Sequence, residues 1–150
     1  MQINNFIVCD LIRREDSNKH IFVGVYDDAI IIQKPDLKDS INSVTLPLSF
    51  FIRFRSTVDH SETPDTFKFV AKFNSDLKLP PIEFEGIIKK GHARKGLTIT
   101  LSVFPFSIPC NANRIDFGIQ LVYADGKKEE FDLGGLEVTF ATPANLSDSK

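Results

Sequence analysis

An alternation of apolar and polar residues with period two runs through most of this chain, and it limits the fold more than any other feature. It is clearest where Leu97, Ile99, Leu101 and Val103 alternate with Thr98, Thr100 and Ser102. The same period returns at Leu48, Phe50, Ile52 and Phe54, at Phe67, Phe69, Ala71 and Phe73, and at Ile115, Phe117, Ile119, Leu121 and Tyr123. Near the start, Phe6, Val8, Asp10 and Ile12 share one strand face, and Ile7, Cys9 and Leu11 the other. Ile21, Val23 and Val25 alternate in the segment His20 to Tyr26. No stretch carries a helical period. The 14 Phe, against a single Met and no Trp, fit the same reading, because aromatic and β-branched residues pack well on a pleated surface.

Turn residues divide these runs. Asp16-Ser17-Asn18 and Asp27-Asp28 read as reversals, and 59–65 as a polar loop. Residues 34–47 hold two prolines and few core candidates, so they read as a connection. Pro105 and Pro109 end their strand or place it at a sheet edge, since proline cannot donate to a ladder. Asp125-Gly126 is the strongest hairpin signal and suits a two-residue type I′ turn. The expected fold is all-β: a single-domain antiparallel β-sandwich of eight or nine strands, Greek-key-like, with a barrel as the alternative. The domain spans residues 1–142, and 143–150 form a flexible C-terminal tail.

At 150 residues the chain suits one domain with a real core. With 42% hydrophobic and 25% charged residues it is not disordered throughout. A net charge of -2 excludes a generally basic, histone-like binder but leaves room for a local basic patch. No stretch approaches the ~18 apolar residues of a membrane span, and Asp10 breaks the apolar run at the start where a secretion signal would lie. Cys9 and Cys110 read as two buried free thiols in a reducing compartment, with a single bridge between them as the alternative, so a cytoplasmic location is expected.

The segment "IVCDLIRREDSNKHIFVGVY", residues 7–26, resembles the opening of a family of small bacterial proteins of unknown function. The likeness is carried by Cys9, Asp10, Ile12, Arg13, Lys19, Gly24, Val25 and Tyr26. It implies a bacterial origin and a β-rich single domain, and it brings no activity with it.

Candidate chemistry is sparse. Asp10 beside Phe6 and Val8 would have a raised pKa if unpaired, as a catalytic base requires, or it pairs with a group such as Arg13 or caps the hairpin backbone. The motifs CxxC, HExxH, Gly-x-Ser-x-Gly, the P-loop and the EF-hand loop are absent, and His20, His60 and His92 are scattered. Calcium would need Asp27, Asp28, Asp59 and Asp65 to converge, whereas ordinary turn chemistry explains each of them alone. Hence no catalytic residue, metal ligand or cofactor is expected.

Two basic features remain. One is the loop "KKGHARKG", in which Lys89, Lys90, His92, Arg94 and Lys95 concentrate charge suited to phosphates. The other is an outward face with Phe51 among Arg53, Arg55, Lys68 and Lys72, an aromatic on a cationic sheet if those strands pair. Glu83 and Glu85 on the next strand would neutralise it. The favoured function is a non-enzymatic interaction module or accessory subunit, working through a protein partner or self-association at a sheet edge. Phe51 and the segment 105–109 are its candidate contacts. The alternatives are binding of nucleic acid or an anionic ligand through 89–95, and an enzyme with a loop-assembled carboxylate site.

Overall fold

The computed structural model describes residues 1–15, 19–33, 42–55, 63–75, 79–88 and 96–141. Among them are nine strands and no helix: β1 Gln2–Arg14, β2 His20–Tyr26, β3 Ala29–Gln33, β4 Ser43–Arg55, β5 Thr66–Asn74, β6 Ile82–Ile87, β7 Gly96–Pro109, β8 Arg114–Val122 and β9 Lys128–Ala141. They form a four-stranded sheet in the order β2-β1-β4-β7 and a five-stranded sheet in the order β3-β9-β8-β5-β6. The two sheets pack face to face as a β-sandwich, the second of them curled like half a barrel. No helix is long and apolar enough to cross a membrane.

The period-two runs fill the space between the sheets. Phe50, Ile52 and Phe54 of β4 meet Phe69 of β5 and Phe117 and Ile119 of β8, all of them buried. The Phe50 ring lies 4.8 Å from Phe69, 5.5 Å from Phe117 and 5.9 Å from Phe106, tilted rather than face to face, as the ring quadrupoles prefer.

Three local expectations need correction. The segment 34–47 is not all connection, because Ser43–Leu46 opens β4 and pairs with Phe106–Pro109 of β7. Pro47 fits inside this strand because it sits at a register shift between Leu46 and Leu48, where its missing N–H leaves no gap in the ladder. β3 does not return beside β2. It crosses to the other sheet and pairs parallel to β9, the one parallel pair among the described strands. The β8–β9 turn is also longer than a type I′ pair. Gly126 N donates to Tyr123 O at 2.9 Å, Tyr123 N donates to Lys127 O at 2.9 Å, and Gly126 alone takes the left-handed φ of 83°. That is a three-residue loop with glycine at its bulge position.

Just past this turn, Glu129 accepts hydrogen bonds from Lys127 Nζ at 2.8 Å, Tyr123 Oη at 2.9 Å and the amino group of Met1 at 3.1 Å. These donors, Lys127 foremost, pull its carboxyl from the ordinary 4.5 down to about 2. The lowered group contributes stability above its unfolded value, and that contribution is lost as pH falls from about 4.5 towards 2. Thermal unfolding of wild type should therefore shift down between pH 6 and pH 3 by more than that of Glu129→Gln. Equal shifts would show that this cluster does not couple to folding.

Candidate functional site

The hairpin β1–β2 departs from the plain sandwich. β1 pairs with β4 from Gln2 to Cys9 and with β2 from Val8 to Arg14, so only Val8 and Cys9 are bonded on both sides. Phe51 stands opposite Ile7, while His20 stands opposite Arg14, roughly 20 Å further along an extended strand. Yet the rings of His20 and Phe22 both lie 5.0 Å from the Phe51 ring. The hairpin must therefore double back across the outer surface of its own sheet and cover Phe51. This corrects the reading of Phe51 as an exposed aromatic, since only 7% of its surface is accessible.

Polar contacts cluster where the hairpin leaves the sheet. Tyr26 Oη donates a short hydrogen bond to Asp10 Oδ1. Gly24, opposite the same carboxylate, has φ 64°, and a Cβ there would lie 2.0 Å from Asp10 Oδ2. Ser49 Oγ donates to Asp10 O at 3.5 Å and is hydrogen-bonded to Ser102 Oγ at 3.1 Å, where either hydroxyl can donate. Beneath them Cys9 is buried, its Sγ 3.5 Å from Leu11 O and 3.7 Å from Ser49 O. Burial pushes the Cys9 thiol up, away from the nucleophilic thiolate. Burial, then the Asp10 hydrogen bond, pushes the Tyr26 phenol up to about 12, so it stays a donor at any physiological pH. Asp10 is thus a brace for the bend, and Tyr26 rather than Arg13 is its hydrogen-bond donor.

The side of the hairpin turned away from Phe51 is apolar. Leu11, Ile21, Val23 and Val25 are 40%, 42%, 46% and 50% exposed. These positions were legible as an alternating strand but not as a surface. The available signal was that His20–Tyr26 is apolar on both faces, with Phe22 on the parity opposite Ile21 and Val23. A strand of that kind needs cover on both sides, and the sandwich supplies one.

The edges of the sandwich are unequally protected. On one side β6 follows Pro80-Pro81 and carries Glu83 and Glu85, and β7 carries Pro105, Pro109 and a register shift. Such features discourage edge-to-edge pairing. On the other side β2 and β3 contain no proline, Lys, Arg, Asp or Glu, and only Asp27-Asp28 separates them. Ile31 of β3 is also exposed. The segment 105–109 turns out to be mostly internal, with Phe106 and Ile108 fully buried and Phe104 just before it exposed.

The cationic face separates into two. β4 and β5 lie in different sheets, so Arg53 and Arg55 are never near Lys68 and Lys72 as strand neighbours. Lys68 bridges Glu83 at 2.7 Å and Glu85 at 3.8 Å, the neutralised surface that the glutamates implied. Arg53 and Arg55 are exposed, without an ion-pair partner among the described residues, opposite Thr98 and Gly96 of β7. Lys89, Lys90, His92, Arg94 and Lys95 lie outside the described residues, as do Asp59, His60 and 142–150.

A cleft of about 860 Å³ runs along the outer face of the five-stranded sheet, floored by Gly118 and Gly134 and walled by Lys72, Asp116, Lys128 and Asp132. Charge there is mixed, and Arg114 is held by Asp116 and Glu137, each at 2.7 Å. No group of three His, Cys, Asp or Glu side chains suited to a metal ion occurs among the described residues. Cys9 and Cys110 are both free, and Cys110 is half-buried rather than buried. Comparison with protein-family models, curated proteins and solved structures finds no match to this chain.

Proposed function

We propose that this protein is a non-enzymatic interaction module, an accessory subunit that accepts an extended β-strand of a protein partner along the free edge of β2. The observation that carries this reading is the contrast between edges: β6 and β7 hold the residues that block pairing, and β2 holds none of them. Strand addition would satisfy the open backbone groups of β2, and alternate side chains would meet Ile21, Val23 and Val25. The strand accepted would be uncharged in its middle. One of its ends would be acidic, to meet Arg13 and Lys19, and the other basic, to meet Asp27 and Asp28. Free thiols at Cys9 and Cys110 suit a cytoplasmic module.

A second reading rests on register. Arg55 lies opposite Gly96, the first residue after the basic stretch 89–95, and Arg53 opposite Thr98, so both exposed arginines flank the point where that stretch rejoins the sheet. An anionic ligand such as single-stranded nucleic acid would use them.

One capture experiment separates the two. Val23→Lys should abolish recovery of the protein partner from host lysate and leave the melting temperature within a few degrees of wild type, because Val23 is half exposed. Undiminished recovery would remove the β2 reading. Partners lost on nuclease treatment, and lost again in a variant with Arg53 and Arg55 changed to Glu, would establish the second.

A further inference from the structure

We infer that the strand accepted by β2 is the β2 of a second copy of this chain, run antiparallel about a two-fold axis at Val23. This rests on reading β2 as a docking edge and adds the identity of the occupant. An edge that pairs with its own copy must be self-complementary under a two-fold rotation, so each residue meets its mirror position in the sequence. Around Val23, Ile21 then faces Val25, His20 faces Tyr26 and Lys19 faces Asp27.

The apolar residues meet apolar residues, and the charges at the two ends meet with opposite sign at both ends of the ladder. Lys19 and Asp27 are exposed and have no ion-pair partner among the described residues, so each is available to the copy. Moving the axis by one residue, to Phe22, would set Lys19 against Val25 and His20 against Gly24, and the charge match is lost. The exposed Leu11 of β1, opposite Val23, widens the apolar strip at the axis itself.

Charge exchange tests the register directly. Sedimentation or light scattering across a concentration series should show wild type as a dimer. Lys19→Asp alone places two acidic groups together, and Asp27→Lys alone two basic groups. Each should raise the dissociation constant by roughly tenfold. The double variant restores opposite charges and should return to the wild-type constant, and Val23→Lys should be monomeric. All three positions are exposed, so circular dichroism should be unchanged throughout.

A wild-type protein that is monomeric at every concentration overturns the inference. So does a dimer indifferent to Val23→Lys, or single and double charge variants that weaken association equally. If wild type is monomeric while Val23→Lys still loses a captured protein, the docking edge stands and its occupant is a different protein. If neither changes, both readings fall.

Discussion

Replacing Gly24 with alanine is expected to lower the free energy of unfolding by about 2–4 kcal/mol and to make the Cys9 thiol reactive in the folded protein. Two independent effects add at this position. A left-handed φ of 64° costs an L-residue roughly 1–2 kcal/mol relative to glycine. The new methyl would also fall 2.0 Å from Asp10 Oδ2 and 2.7 Å from its Cγ. The carboxylate cannot swing aside without giving up the Tyr26 hydroxyl, which keeps its proton and so keeps donating. The cheapest relief is for the hairpin to lift off Phe51, which uncovers Cys9. Thiol titration of native protein should show one slow thiol in wild type and faster modification in the variant. Asp10→Ala in the same background should recover the part due to collision but not the part due to φ. A Gly24→Ala protein with wild-type stability and a protected Cys9 would show that the bend is not built on this contact.

Much of the sandwich was readable because alternation reports burial. Wherever one parity was apolar and the other polar, as in Leu97–Val103 or Ile115–Tyr123, the apolar parity points between the sheets. The reading weakened where both parities are apolar. Phe51 lies on the parity of Arg53 and Arg55, which reads as a solvent face, and its cover comes from β2, a strand that does not pair with β4. Ile21, Val23 and Val25 alternate in the same way as a core stripe, yet they are exposed. Both outcomes have one source: period two says which residues share a face, and says nothing of what a second layer places on that face. The partition of strands between sheets was equally hidden, since it depends on which distant strands pair. Arg53 and Lys68 lie on strands that follow one another along the chain, β4 and β5, yet those strands belong to different sheets. By contrast the resemblance at residues 7–26 drew attention to Asp10, Gly24 and Tyr26, which meet at one bend. That segment shapes the hairpin, and no catalytic role follows from it.

Phe50→Ala should be the most damaging single truncation, and its contrast with Phe51→Ala separates the two layers of the molecule. Phe50 is wholly buried at the centre of the core, touching Phe69, Phe106 and Phe117, and truncating such a ring costs about 3–5 kcal/mol, a large share of the ~5–15 kcal/mol that holds a domain of this size. The loss should appear as a lower denaturation midpoint with a single cooperative transition, because Phe50 bridges both sheets. Phe51, one residue on, points the opposite way and touches only the hairpin rings among its aromatic neighbours. Its truncation should free β2 while the sandwich persists. Hydrogen exchange would then quicken at the amides of Ile21–Tyr26 and stay slow in β5 and β8. The hairpin would thus have its own opening free energy, smaller than that of the whole domain, as expected of an element held by one ring cluster. Because the docking edge lies on that hairpin, Phe51→Ala should also weaken strand capture without altering any residue on the exposed strip. If exchange quickens equally in all strands, the hairpin and sandwich are a single cooperative unit, and the bend cannot tune the edge independently.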